Sequence, residues 1–186
     1  MEKLTIITNR IIRLARGWIT LAAVIIFLIF SVTVLPDQSA KAAAYSAEIG
    51  SPDLSLFYTP EDLYHMAEQF GESGRQAYVR ARFTFDLAFP IVYGAFLLSC
   101  VGWALGKLTL ENSNWRLLVL IPLFAVLFDL FENTAASIVI SQYPQPSPLA
   151  AVLAPFFTLL KWFFVGSGFL LAATLPLLYG IKLLKK

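Results

Sequence analysis

The chain has 186 residues, 58% hydrophobic and 14% charged, with a mean hydropathy of +0.71, against about 45–50% apolar and about 25% charged residues in an ordinary soluble domain. That balance argues against a soluble fold. One Cys and one His exclude an intrachain disulfide, a dithiol relay of the vitamin K epoxide reductase kind, a bis-His haem and a Cys/His zinc cage, since each needs at least two such ligands. The net charge of +2 comes from basic residues at the ends of apolar runs, so it reports orientation rather than a nucleic-acid partner.

A transmembrane helix needs about 20 mostly apolar residues, and four runs qualify: 18–35, 85–105, 117–140 and 149–181. Unbroken runs of this kind specify helices, because barrel strands show only weak alternating segments of about ten residues. The expected fold is all-α, a polytopic membrane protein built as a four-transmembrane-helix bundle, with residues 1–186 forming a single membrane domain.

In chain order, a basic segment with Lys3, Arg10, Arg13 and Arg16 precedes span one. Span one exceeds the 7–15 apolar residues of a signal peptide and is expected to be retained. The loop at 36–84 contains Thr59-Pro60-Glu61-Asp62, a helix start in which Thr59 caps, Pro60 takes the first helical position and Asp62 reaches back. A helix of about ten residues is expected to run to Phe70, with Leu63, Met66, Ala67 and Phe70 on one face and Glu61, His65 and Glu68 off it. That apolar face is expected to lie down across the outer mouth of the bundle. Gly71-Glu72-Ser73-Gly74 is expected to break the helix, and Arg75 to Arg82 to form a second stretch leading into span two. Tyr143-Pro144-Gln145-Pro146-Ser147-Pro148 reads as a stiff link between spans three and four. The last run is about 33 residues, longer than the bilayer core at 1.5 Å per residue, so Pro155 and Pro176 are expected to mark a bend or interfacial ends and 155–179 the membrane part.

Nine basic residues, Lys3, Arg10, Arg13, Arg16, Lys107, Arg116, Lys182, Lys185 and Lys186, fall on one side of this arrangement. The 36–84 loop has four, against seven acids. The positive-inside rule then places both termini in the cytoplasm of a multi-pass cell-membrane protein and the loop outside.

Ionisable residues within spans are costly and rarely face lipid. There are four: Asp86, Asp129, Glu132 and Lys161. Asp129, Glu132, Asn133 and Ala136 form one stripe at three- and four-residue spacing, with Ala125 a turn below. Span four offers Thr158, Lys161, Val165 and Gly168, and span two offers Asp86, Pro90, Tyr93 and Leu97. Three carboxylates meeting one Lys require either Arg80 or Arg82 to reach in from the helix above or one carboxyl to be neutral. Asp86, Tyr93, Asp129, Glu132, Asn133, Lys161 and Arg82 are therefore the candidate ligand-binding or buried polar set.

The remaining polar and aromatic features have plainer uses. His65 beside Glu61, Glu68 and Glu72 reads as a solvated helix face, so no metal site is expected. Cys100 reads as a small apolar filler, Gly102 and Gly166-Ser167-Gly168 as close-packing positions, and Trp18, Trp103, Trp115 and Trp162 as interfacial belts.

Tyr58-Thr59-Pro60-Glu61-Asp62, Gly74-Arg75, Asp86-Leu87-Ala88-Phe89-Pro90-Ile91-Val92-Tyr93, Phe128-Asp129-Leu130-Phe131-Glu132-Asn133 and Thr158-Leu159-Leu160-Lys161-Trp162 together resemble the pattern of a group of small uncharacterised bacterial four-span membrane proteins. The resemblance covers about residues 56–165, and implies four spans in a bacterial inner membrane with no activity attached. The four-span core is also loosely similar to the sterol-isomerase-type family, whose members bind sterols, but the His and spacing of that family are missing, and fold likeness does not carry function.

Two uses of the polar set stay open. It is either glue between helices, or an outward-facing pocket that binds or moves a small polar or lipid-like ligand. The pocket needs a cavity running from the outer surface past Arg82 to Asp129, Glu132 and Lys161. A membrane acid–base enzyme, an isomerase or hydrolase of a lipidic substrate, is the alternative, and an accessory subunit of a larger membrane complex is another. Expected partners are membrane lipid, such a ligand, and either further copies of the chain or a partner membrane subunit. No cofactor is expected.

Overall fold

The computed structural model describes residues 2–46, 49–109 and 113–185. Glu48 and Lys186, both counted above for orientation, lie outside the described residues. Eight α-helices are present among them: α1 (Glu2–Leu14), α2 (Gly17–Thr33), α3 (Leu35–Ser46), α4 (Pro60–Gln69), α5 (Gly71–Arg82), α6 (Phe85–Leu108), α7 (Ile121–Gln142) and α8 (Pro148–Leu184). Short 3-10 turns occupy Pro52–Leu54 and Asn114–Leu120. No described residue lies in a strand, so the all-α expectation holds.

Three helical runs are long and apolar enough to cross a membrane, Gly71–Leu108, Asn114–Gln142 and Pro148–Leu184. A fourth is reached only if Lys3–Leu14 and Gly17–Thr33, bent by 77° at their junction, count as one. Taken alone, α2 has 17 residues, about 26 Å at 1.5 Å per residue, short of the roughly 30 Å hydrocarbon core.

α8 is one continuous helix of 37 residues that includes Pro155 and Pro176, and a proline inside a long apolar helix is tolerated when neighbouring groups satisfy the freed carbonyl. One local expectation is corrected: the break after α4 is narrower than four residues. Gly71 alone takes a left-handed conformation, with φ +63, which glycine adopts without a Cβ penalty, and Glu72, Ser73 and Gly74 already belong to α5.

Elsewhere the local chemistry acts as the residues dictate. Thr59 and Asp62 form a reciprocal capping box at the start of α4, behind Pro60. Leu63, Met66, Ala67 and Phe70 are buried on one face, whereas Glu61, His65 and Glu68 are exposed.

The chain divides into two compact units. The first comprises Met1–Leu28, Val92–Ala125 and Phe163–Lys186. Its core is Ile12, Val101, Leu105 and Val119, with α1 packed on the Asn114–Leu120 turn. At Gly102 a Cβ would stand 2.9 Å from the Ala15 Cβ, so that glycine sets how closely the α1–α2 corner approaches α6.

The second unit comprises Ile29–Ile91 and Val126–Trp162. Its core sets the apolar face of α4, with Tyr58 and Tyr78, against Ala135, Ala136, Val139 and Ile140 of α7 and Ala151 and Ala154 of α8. The small residues on α7 and α8 let side chains of α4 and α5 seat between them. Tyr64 ties the 143–148 link to α4, its hydroxyl accepting the Ser147 amide at 2.7 Å.

Candidate functional site

The second unit holds a buried polar network built from five elements, the Pro52–Leu54 turn, α5, α6, α7 and α8. The first cluster joins α7 to α8. Glu132 and Lys161, 1% and 4% exposed, form an ion pair. The Thr158 hydroxyl, one turn before Lys161, donates to Glu132 Oε1 at 2.7 Å and is hydrogen-bonded to the Tyr58 hydroxyl at 3.1 Å. Burial first, and then the nearby Glu132 carboxylate, push the Tyr58 phenol above its ordinary range, so it stays a neutral hydrogen-bonding group.

The second cluster joins the Pro52–Leu54 turn to α5 and α6. Arg82, 3% exposed, places Nη1 2.8 Å from Asp53 Oδ1 and Nε 2.8 Å from Asp86 Oδ2. Its guanidinium also lies over the Tyr78 ring, 4.6 Å from the centroid. The planar fork of arginine suits this work, since one rigid cation sets two separate nitrogens against two carboxylates at once.

Asp53 connects the clusters. Its backbone carbonyl accepts from Lys161 Nζ at 3.1 Å while its carboxylate holds Arg82. Two residues on, the Ser55 carbonyl accepts from the Trp162 indole at 2.9 Å. This short irregular segment is thereby pinned to α5 and α8. Asn133 completes the α7 side, its Nδ2 donating to Asp129 Oδ1 at 3.2 Å and to the Asp86 carbonyl at 3.4 Å.

Of the residues anticipated from sequence, Arg82, Asp86, Asp129, Glu132, Asn133 and Lys161 all belong to this unit. The cation needed to balance the acids is Arg82, and Arg80 is exposed. Tyr93 is buried, at 3%, but belongs to the other unit. Asp53, Tyr58 and Ser55 were not anticipated. Among the described residues no group of three or more His, Cys, Asp or Glu side chains could hold a metal ion.

A groove of about 1180 Å³ lies in this same unit, between α2–α3 and α5–α6. Phe30, Val34, Leu35 and Phe85 line it with apolar surface, and Asp53, Arg82 and Asp86 with charge. The expected continuation of the cavity to Asp129, Glu132, Asn133 and Lys161 is not found, as none of the four lines it. The reason is packing: the Pro52–Leu54 turn, drawn in by Arg82 and Lys161, closes over the Glu132–Lys161 pair.

Comparison with protein-family models, curated proteins and solved structures yields no match. The resemblance to bacterial four-span proteins therefore rests on the quoted segments alone.

Burial raises the Asp53 carboxyl, but the charge of Arg82, hydrogen bonds from Arg82 and Ser51 and the charge of Lys161 outweigh it and hold the carboxyl below the ordinary aspartate range. Folded Asp53 therefore binds fewer protons than unfolded Asp53 near pH 4, and its contribution is complete above the unfolded pKa and lost as pH falls through the folded one. Thermal unfolding followed in mild detergent from about pH 5 to about pH 3 should show stability falling with pH, and the fall should be shallower in Asp53→Asn. A residual slope is expected from Asp62, held low by the Thr59 amide and hydroxyl.

Proposed function

We propose that this protein is a four-span cell-membrane protein, both termini cytoplasmic, that binds a lipid-like amphiphile in the α2–α3/α5–α6 groove from the outer side. In this reading α2 crosses as the fourth span, the bilayer thinning locally over its 17 residues, and the nine basic residues set the orientation. The observation that carries the reading is the groove itself. One wall is apolar, from Phe30, Val34, Leu35 and Phe85, and the other is polar, with Arg80, Gln76, Gln69 and the Asp53–Arg82–Asp86 cluster. Ligand sites combine apolar area with a few polar groups in this way. Because the polar wall carries both signs, Lys41 and Arg80 beside the Asp53–Arg82–Asp86 cluster, a zwitterionic or polar head suits it better than a strongly anionic one. The acid–base enzyme reading has less support, since the Glu132–Lys161 pair does not line the groove.

The test uses the full chain carrying Cys100→Ala. With Ser73→Cys, a residue lining the groove, an impermeant maleimide should react in intact cells, whereas Lys107→Cys should not react. In the purified protein, a phosphatidylethanolamine with a photoreactive group on its acyl chain should crosslink chiefly to the wall formed by Phe30, Val34, Leu35 and Phe85. Crosslinks spread evenly over the exposed apolar faces, Phe163 and Leu170 of α8 included, would remove the groove from consideration. Labelling at Lys107→Cys alone would invert the orientation.

A further inference from the structure

A second, chemically different cavity occupies the other unit. It has a volume of about 390 Å³ and is lined by Arg13, Arg16, Lys107 and Arg116, together with Trp103 and Gly17. Among the described residues none of its walls is acidic. Four basic side chains line this one pocket, and their summed positive field draws an anion into it. Arg116 sharpens the argument, because it is 6% exposed and its hydrogen bonds go to neutral acceptors, Thr109 Oγ1 at 3.2 Å and Asn9 Oδ1 at 2.7 Å. Among the described residues no carboxylate forms an ion pair with it. Gly17, the first residue of α2, adds free amide groups and the positive end of a helix.

The surroundings identify the source of the anion. Along α1, Leu4, Ile7, Ile11 and Leu14 recur at three- and four-residue spacing, and Leu4, Ile7 and Leu14 are 44%, 50% and 62% exposed. Lys3 and Arg10 flank this stripe, whereas Thr8 and Ile12 on the adjoining face are buried. With α1 turned 77° from α2, a membrane-crossing α2 lays α1 in the plane of the interface, apolar stripe against the acyl boundary and basic residues at headgroup depth. Trp18, 69% exposed at the head of α2, sits at the level such rings favour.

We infer that the Arg13–Arg16–Lys107–Arg116 pocket binds the phosphate headgroup of an anionic membrane phospholipid, whose chains lie along α1 and Trp18. Basic pockets at the cytoplasmic ends of spans recognise such headgroups by charge and by hydrogen bonding to phosphate oxygens. The site is independent of the groove in the other unit.

Native mass spectrometry of the full chain, released from mild detergent containing equal amounts of phosphatidylglycerol and phosphatidylcholine, tests this. Phosphatidylglycerol should be retained over phosphatidylcholine by roughly tenfold. Arg13→Gln with Lys107→Gln, both exposed positions, should erase most of that preference. Lys182→Gln with Lys185→Gln, which removes the same charge elsewhere, should preserve it. Equal retention of the two lipids by the unmodified chain overturns the proposal, and so does an equal loss of preference in both double variants, which means diffuse attraction only. Displacement of phosphatidylglycerol by millimolar inorganic phosphate overturns the lipid assignment in favour of a soluble anion.

Discussion

Replacing Arg82 with Met should destabilise the protein by about 3–5 kcal/mol, the cost of removing one partner from a buried ion pair. The loss is large because the guanidinium serves two carboxylates from different parts of the chain, Asp53 and Asp86, each at 2.8 Å. Without it, two negative charges face each other across buried space. Arg82→Lys should recover only part, since a single ammonium cannot reproduce the separate Nε and Nη1 contacts. Arg82→Met combined with Asp53→Asn and Asp86→Asn should be more stable than Arg82→Met alone, because the uncompensated charge goes with the cation. Unfolding midpoints in one detergent decide the matter. If Arg82→Met costs less than about 1 kcal/mol, the value of an exposed pair, the cluster is hydrated and the segment at 51–55 is not held by it.

The parts of this arrangement that were legible in the sequence are those governed by local periodicity. Thr59, Pro60 and Asp62 announce the start of α4, and the spacing of Leu63, Met66, Ala67 and Phe70 identifies its buried face, because both depend on residues within two turns of one another. The same logic marks Pro90, Tyr93 and Leu97 as buried on one face of α6, and all three are. Periodicity gives the face and not the partner. Asp86 and Tyr93 share that face, yet the chain's compact units divide between Ile91 and Val92, so one face of one helix serves both units.

Asp53 was illegible for the opposite reason. It lies in a polar loop without periodicity, where a carboxylate ordinarily remains solvated, and its partners are 29 and 108 residues away at Arg82 and Lys161. Reading ionisable residues only within apolar runs ranks the acids by the cost of burying them in lipid, which passes over an acid carried inward by a turn. The need for a further cation was visible in the ratio of acids to Lys161. The further acid was not, since nothing in the ratio required it. The consequence reaches function: the turn that carries Asp53 separates the Glu132–Lys161 pair from the groove, leaving one polar cluster as internal support and the other as a wall of the cavity.

Lys161→Met tests that division of labour. Lys161 is 4% exposed, pairs with Glu132, and donates to the Asp53 carbonyl at 3.1 Å, so the variant should leave a buried carboxylate without its cation and lose about 3–5 kcal/mol. Adding Glu132→Gln should restore part of the loss, because the amide keeps the shape and still accepts from Thr158 while carrying no charge. It should not restore all of it, since the Asp53 carbonyl still loses a charged donor. If the pair is structural support, Lys161→Met with Glu132→Gln should also leave photocrosslinking in the groove unchanged, as neither residue lines it. A double variant that folds as stably as the unmodified chain but no longer crosslinks would return Glu132 and Lys161 to the binding site. Unchanged stability in Lys161→Met alone would mean that the ammonium snorkels out along its aliphatic stem and that the α7–α8 contact is held by the apolar packing around Ala136 and Ala154.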